Sequence, residues 1–233
     1  MTAKRPSATG RHRGPSWTRL NILFEDKDII VVDKSAGLLT MATDREKHRT
    51  LYALLSEHVK GKRPPERLFI VHRLDREASG LLVFAKSEAA KQALQGQFKG
   101  HDAGRTYLAV IERRMAQDQC TLQSYLAENA AYRCYSTPDP TKGKWAITHV
   151  KVLKRSSRRT LVEVQLETGR KHQIRVHLAE QGHPVVGDQV YGSRTNPIRR
   201  LALHAVRLAF RHPATGKPME FQSPPSAVFA TLI

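Results

Sequence analysis

Apolar runs of four or five residues, each too short for a typical helix, constrain the fold of this 233-residue chain most. They cover residues 29–32, 68–71 and 81–85, and polar or glycine-containing segments separate them. Such runs, rich in valine and isoleucine, are typical of buried strands. Asp75 lies between Arg73 and Arg76 on the connection from the second run to the third. We therefore expect Asp75 on a loop that joins two buried strands.

The remaining pattern predicts helices between short strands. Helical spacing of leucines predicts a helix over 51–60, Ser87 predicts the N-cap of a helix reaching about Phe98 with Gly100 beyond it, and Gly182 predicts the end of a helix over 171–181. Strands are predicted over 105–111, 145–154, 159–166 and 201–210, with a hairpin turn at 155–158. Residues 113–144 show the weakest pattern and are expected to contain loops. Because this order is not a regular βαβ alternation, we expect an α+β fold with a mixed, largely antiparallel sheet and flanking helices.

Charge indicates the kind of partner. The chain has 39 Lys and Arg against 21 Asp and Glu, a formal net charge of +18. Residues 1–19 contain five of these positive charges and no acid, so the net charge of residues 20–233 is +13. We interpret residues 1–19 as a disordered basic tail and residues 20–233 as one domain. A charge this positive on the folded part favours a polyanionic partner, with nucleic acid as the first candidate.

Several classes of protein and site are disfavoured. No apolar run approaches the roughly 18 residues that span a membrane, and the first twenty residues lack the apolar core of a signal peptide, which favours the cytoplasm. Cys120 and Cys134 are isolated, which predicts free thiols. His172 and His177 are poorly spaced for a shared metal, and no phosphate-binding glycine loop is present. We expect no metal, no cofactor and, because no exposed apolar stripe is evident, a monomer.

Three side chains have both a structural and a functional interpretation. Asp75 is either a salt-bridge partner or turn residue, or it is a nucleophile or general base held ionised by nearby cations. Arg175 shares a helix face with apolar residues, so it either needs a buried acceptor or extends its charge to solvent. Tyr107 either packs at a core edge or stacks on a nucleobase. Spacing alone leaves each pair of alternatives open.

Two long segments carry a resemblance. "HRLDREASGLLVFAK", at 72–86, resembles the HRLD segment of the RluA-type family of RNA pseudouridine synthases, and "TGRKHQIRVHLAEQGHPVVGDQVYG", at 168–192, resembles the family's TGR-x-HQIR-x-H segment and the GD-x-x-YG that follows. Shorter matches, among them "VVDKSAGL" at 31–38 and "RTYLAVIE" at 105–112, extend the resemblance over about residues 21–225. The resemblance implies the pseudouridine synthase fold, with a central basic cleft.

The resemblance also implies a reaction. Members of this family cut the glycosidic bond of a uridine in RNA, rotate the uracil and rejoin it through carbon, without metal or redox cofactor. Asp75 matches the catalytic aspartate, which either adds to the uracil ring or assists its departure from ribose. Arg175 matches the arginine that pairs with it, and Tyr107 the tyrosine that stacks on the target base. Arg73 matches the arginine that fills the space of a flipped nucleotide.

The expected substrate is structured tRNA or rRNA. With few residues ahead of the matched region, no S4-like RNA-binding domain is expected, so RNA selection falls to the catalytic domain. The alternative is a non-catalytic RNA-binding module or RNA chaperone. Further substrate-binding residues are expected at Arg76, Lys34, Lys171, His172 and Ile174.

Overall fold

A computed structural model describes residues 20–44, 46–60 and 67–233, so the predicted basic tail lies outside the described residues. Three α-helices and two 3₁₀ turns, the latter at Gln189–Tyr191 and Ala227–Leu232, accompany eleven strands in this part of the chain. The helices are α1 (Leu51–Lys60), α2 (Glu88–Lys99) and α3 (Gln173–Glu180). The strands are β1 (Ile22–Glu25), β2 (Ile29–Lys34), β3 (Phe69–Ile70), β4 (Ser79–Ala85), β5 (Gly104–Glu112), β6 (Gln119–Glu128), β7 (Cys134–Thr137), β8 (Lys144–Arg155), β9 (Arg159–Leu166), β10 (Leu203–Arg211) and β11 (Pro218–Gln222).

The described strands form one mixed sheet in the order β1-β2-β4-β10-β5-β9-β8-β6-β7, with β3 on β4 and β11 on β10. β4 and β10 run parallel through two residue pairs, Ser79 with His204 and Gly80 with Ala205. The other named pairings in the described chain are antiparallel. The predicted α+β fold with a mixed, largely antiparallel sheet is therefore confirmed.

The short apolar runs become strands that are covered on both faces. On one face of β2 and β4, Ile30 and Leu82 belong to a core cluster that includes Leu55 of α1. On the other face, Val31 and Val83 pack in a second cluster that includes Leu94 of α2. Strands buried on both faces need apolar side chains at successive positions, which explains the continuous rather than alternating pattern.

Local end signals locate the helices well. α1 has the predicted bounds, and the Ser87 hydroxyl accepts a hydrogen bond from the Ala90 amide at the start of α2. α3 begins two residues later than predicted, because His172 adopts a left-handed conformation with φ of 54° and so cannot continue a helix. At its end, Gly182 has φ of +78° and the His183 amide donates to the Leu178 carbonyl, which completes a glycine C-terminal motif.

Residues 113–144 contain the expected loops, and they also contain two strands that the sequence pattern did not predict. β6 and β7 form a hairpin there, and β6 also pairs along its length with β8. β6 presents Gln119, Thr121 and Gln123 to solvent on one face, and its other face is only partly buried along most of its length. Since the apolar contrast between its faces is small, the two-residue period of a strand is weak in the sequence.

Two further predictions concern the whole chain. Neither Cys120 nor Cys134 forms a disulfide, so the prediction of free thiols is confirmed. In the described part of the chain, none of the helices is both long and apolar enough to cross a membrane.

Gly80 makes the parallel contact between β4 and β10 possible. Its φ is +111°, and a Cβ at this position would lie 2.3 Å from the carbonyl oxygen of Ala205. That neighbour is backbone in the sheet, so it cannot rotate away as a flexible side chain can. The glycine that follows Ser79 is therefore a requirement of the fold.

Gly80→Ala is expected to lower the free energy of unfolding by at least about 2 kcal/mol, because both the strained φ and the overlap with Ala205 must be relieved. Gly96→Ala is the matched control, since a Cβ there meets open space in α2. That variant should be neutral or up to about 1 kcal/mol more stable. Urea unfolding measures both changes, and equal midpoints for the two variants would contradict this account of Gly80.

Candidate active site

A cleft of about 480 Å³ lies between the 71–78 loop, β5 and the segment that leads into α3. One acid, Asp75, lines it together with six basic side chains. Positive charge in a concave, partly desolvated site attracts anionic groups strongly. The six basic residues are Arg73, Lys99, Arg105, Arg170, Lys171 and Arg175.

The loop that carries Asp75 is anchored by the end of β2 and the segment that follows it. The Arg76 carbonyl accepts hydrogen bonds from the Gly37 amide, at 2.8 Å, and from Lys34 Nζ, at 3.1 Å. The Thr40 hydroxyl donates to the Leu74 carbonyl at 2.9 Å. These bonds bracket Asp75 on both sides, so its backbone is fixed independently of its side chain.

Arg175 joins the loop to the rest of the site. Its Nη1 donates to Asp75 Oδ2 at 3.1 Å, and its Nε and Nη2 donate to the two carboxylate oxygens of Asp188 at 2.7 and 2.9 Å. Arg175 is 5% exposed and Asp188 is 2% exposed. Burial alone would lower the pKa of Arg175, but the two carboxylates raise it, so the guanidinium stays charged. The predicted buried acceptor therefore exists, and it is a pair of acids.

His172 approaches the other oxygen of Asp75. The Tyr191 hydroxyl accepts from the Cys134 amide at 3.0 Å, and its oxygen lies 2.8 Å from His172 Nδ1. His172 Nε2 lies 3.9 Å from Asp75 Oδ1. Burial lowers the pKa of His172 although Asp75 opposes the shift. The arrangement places a neutral imidazole beside the carboxylate.

Tyr107 and Arg105 lie on β5, two residues apart, and both line the cleft. Burial raises the pKa of Tyr107 to about 12, so its phenol is protonated at neutral pH. Arg105 donates to the Glu167 carbonyl at 2.8 Å, and its guanidinium lies 5.4 Å from the centre of the Phe98 ring. The Nε of Arg105 is buried and has no hydrogen-bond partner within the described structure. The β5 side of the cleft thus combines a ring with a fixed cation.

The cleft brings together most of the predicted residues. Arg73 is exposed and Ile174 is buried, and both line the cleft. Lys171 lies at its rim, where it pairs with Glu128. Arg76 is exposed but is not among the lining residues.

Lys34 differs from the other predicted contacts because it is 1% exposed. Its ammonium donates to the carbonyls of Ser35, Leu38 and Arg76 at 3.0, 2.7 and 3.1 Å. All three of its donors are therefore used within the protein. In this geometry Lys34 stabilises the loop that carries Asp75.

Sequence reasoning missed Asp188, Arg105 and His72 as parts of the site. The amide of Val83 donates to His72 Nε2 at 3.1 Å, and the His72 ring stacks on Phe98. Burial keeps the pKa of His72 well below its usual range, so it stays neutral. The signals were present, because His72 and Asp188 fall inside the two quoted segments. Their partners were not visible, since Asp188 is 13 residues from Arg175 and Val83 is 11 from His72.

Comparison with known proteins gives one consistent family. The family model described as RNA pseudouridylate synthase matches residues 28–180. An uncharacterised RNA pseudouridine synthase of Bacillus subtilis (strain 168) is 36% identical over 212 residues, which are 90% of this chain and 70% of the relative. The ribosomal large subunit pseudouridine synthase D of Neisseria meningitidis serogroup A is 37% identical over 94% of this chain and 62% of its own length.

The fold comparison agrees. Human RNA pseudouridylate synthase domain containing 1 superimposes with a TM-score of 0.72 at 27% identity, covering 91% of this chain and 86% of that chain. The sequence relatives are longer than this chain: it spans 62% of the Neisseria protein and 70% of the Bacillus protein. The similarity therefore concerns the region that holds the cleft.

Removing the charge of Asp188 should destabilise the protein. Asp188→Asn leaves the buried Arg175 cation with weaker compensation, and breaking a buried pair in this way costs about 3 kcal/mol. The matched control is Glu220→Gln, whose pair with Arg207 is more than 40% exposed on both sides. Solvent screens this pair, so its loss should leave the unfolding midpoint close to that of the wild type. Urea unfolding of both variants measures the difference. Equal losses would show that burial of the Arg175 pair does not matter.

The buried ammonium of Lys34 predicts a pH dependence. Burial lowers its pKa to about 7 in the folded protein, while an unfolded lysine titrates near about 10.4. Between these values the unfolded chain binds more protons, so the free energy of unfolding rises with pH, by up to about 1.4 kcal/mol per unit. The rise should be present in the wild type and absent in Lys34→Met, as measured by urea unfolding from neutral pH to pH 10. Parallel curves would mean that Lys34 titrates normally.

Proposed function

This chain belongs to the RNA pseudouridylate synthase family, and we propose that Asp75 is the carboxylate with which it isomerises uridine in RNA. The predicted activity, an isomerase acting on RNA uridine, is confirmed by the family model and by the names of the relatives. The observation that carries the proposal about Asp75 is its ion pair with the buried Arg175 at 3.1 Å, inside a cleft where it is the one acid among six Lys and Arg residues.

The reaction rearranges one bond and moves two protons. The N1–C1′ bond of the uridine breaks, a C5–C1′ bond forms, C5 loses its hydrogen as a proton, and N1 gains one. A carboxylate takes part in this reaction either by adding to the uracil ring or by assisting the departure of uracil from ribose. An ionised Asp75 is required for that role, and the Arg175 guanidinium donates a hydrogen bond to its Oδ2.

Arg175 holds that carboxylate in place. Because Asp188 takes two of its donors, the guanidinium cannot rotate, and its remaining Nη1 is directed at Asp75. A fixed donor of this kind adds no reorganisation at the moment of reaction. Asp188 thus acts on the chemistry through Arg175 and is a positioning residue.

Tyr107 forms the wall opposite this network and stacks on the target uracil. Its pKa of about 12 makes it a hydrogen-bond donor to the ring at neutral pH rather than a ready base. Arg73, exposed at the cleft entrance, occupies the gap that the flipped uridine leaves. Arg170 and Lys171 are placed to contact the flanking phosphates.

We propose structured tRNA or rRNA as the substrate class. The net charge of +18 favours an extended polyanion. One of the relatives is named as a ribosomal large subunit synthase, which makes large-subunit rRNA fragments a natural first substrate to test. Contacts to phosphates position the RNA, and the choice of uridine then depends on bases outside the cleft.

Asp75→Asn is expected to abolish isomerisation and leave RNA binding intact. The assay is tritium release from RNA labelled at uracil C5, because that hydrogen leaves only when C5 becomes the glycosidic carbon. Transcribed tRNA and large-subunit rRNA fragments are compared. We expect the rate to fall at least about 10³-fold, and the Kd to stay equal or decrease slightly because one negative charge is lost.

Asp118→Asn is the matched control, since Asp118 pairs with Arg155 at the surface and is not among the cleft residues. It should release tritium at the wild-type rate. Wild-type rates from Asp75→Asn would remove Asp75 from the mechanism. If the wild type released tritium from neither RNA while still binding both, the proposed substrate class would be overturned.

A further inference from the structure

The tip of the β6–β7 hairpin carries an aromatic side chain that the reaction does not use. Tyr132 is 75% exposed, which is the highest value among the large apolar and aromatic side chains of the described residues. Its φ is 59°, a left-handed conformation that bulky side chains rarely adopt. A glycine or asparagine would suit this turn better if only the turn mattered. An exposed tyrosine in this conformation therefore calls for a function.

The turn presents Tyr132 rigidly. The Asn129 side chain accepts hydrogen bonds from the amides of Ala131 and Arg133, both at 3.0 Å. The backbone of Asn129 closes the hairpin with two further bonds, as donor to the Arg133 carbonyl and as acceptor from the Tyr132 amide. The backbone that carries the ring is fixed before any partner binds, which lowers the entropy lost on binding.

Two contacts fasten this tip to the catalytic cleft. Lys171 Nζ donates to the Tyr132 carbonyl at 3.2 Å, pairs with Glu128, and lies 5.5 Å from the centre of the Tyr132 ring. On the other side of the turn, the Arg133 guanidinium lies 5.5 Å from the ring of Tyr191. Because Lys171 lines the cleft and precedes His172, the exposed ring lies at the cleft rim.

We propose that Tyr132 stacks on an unpaired base of the RNA next to the uridine that enters the cleft. The inference rests on the proposed function, because a nucleotide can be flipped into the cleft most easily where its neighbours are unpaired as well. An aromatic ring beside fixed cations is the arrangement that binds single strands, with the ring on a base and the cations on phosphates. The Lys171 ammonium, which lies beside the ring, supplies the cation.

The same hairpin offers a matched control. Tyr135 is 42% exposed and lies on β7 opposite Ala127. Its neighbours Cys134 and Ser136 are directed toward α3, where Cys134 packs with Val176 and the Ser136 hydroxyl donates to Glu180. Successive side chains of a strand alternate between faces, so Tyr135 is directed away from α3 and from the cleft. Its loss should not affect RNA at the cleft rim.

The experiment measures the equilibrium binding of RNA and not its isomerisation. The probe is a short oligouridine carrying one 2-aminopurine, whose fluorescence is quenched when it stacks on an aromatic ring. An RNA duplex of the same length, in which every base is already stacked on its neighbours, is the second probe. The proteins are wild type, Tyr132→Ala, Tyr132→Phe and Tyr135→Ala, with thermal unfolding to confirm that each is folded.

Tyr132→Ala is expected to raise the Kd for the single strand about fivefold or more and to abolish the quenching. Its Kd for the duplex should stay within about twofold, because the cations that bind phosphates remain. Tyr132→Phe keeps the ring and should bind as the wild type does, and so should Tyr135→Ala. Unchanged single-strand binding by Tyr132→Ala would overturn the proposal and direct attention to a protein partner. Equal weakening for single strand and duplex would also overturn it, since that pattern indicates a structural role in the hairpin.

The failure of this proposal can be told apart from the failure of the catalytic one. If Asp75→Asn released tritium normally while Tyr132→Ala still bound the single strand weakly, the catalytic role of Asp75 would be rejected and the stacking role of Tyr132 would stand. If Asp75→Asn were inactive and Tyr132→Ala bound normally, the stacking role would be wrong and the catalytic assignment would stand.

Discussion

The site depends on one buried cation. Arg175 needs acceptors because an unpaired guanidinium inside a protein is very costly. Asp188 compensates it through two hydrogen bonds, and the remaining Nη1 holds Asp75. A residue that must be neutralised for stability thus also fixes the orientation of Asp75, the carboxylate proposed for the reaction. Stability and chemistry are linked here through a single side chain, which is why α3 and the Asp75 loop must meet.

The loop that carries Asp75 is built from the strands upward. β4 approaches β10 closely at Gly80, and the chain just before it is held by Lys34 and Thr40 through backbone carbonyls. A loop anchored by its backbone can present a charged side chain without relying on that side chain for its shape. The rigidity also allows Asp75 to meet Arg175 at the correct distance before RNA binds, in agreement with preorganised electrostatic catalysis.

Local signals predicted the helices and the central strands, because these depend on caps and on runs of buried apolar residues. They failed for β6 and β7, where one face is solvated and the apolar contrast is weak. For the site, motif resemblance located Asp75, Tyr107 and Arg175. It could not indicate that Lys34 is fully used by backbone carbonyls, since burial of a lysine follows from packing between distant segments.

The sequence by itself determined the fold class, the family resemblance and the candidates for the reacting groups, because these follow from local periodicity and from the order of two long motifs. The tertiary structure decided which groups meet. Asp75 and Arg175 are 100 residues apart in the chain, and Tyr132 reaches the cleft through Lys171, 39 residues away. Such contacts depend on strand order and register, which one-dimensional patterns do not contain. The strand order and register of the sheet therefore bring the candidate residues together in one site.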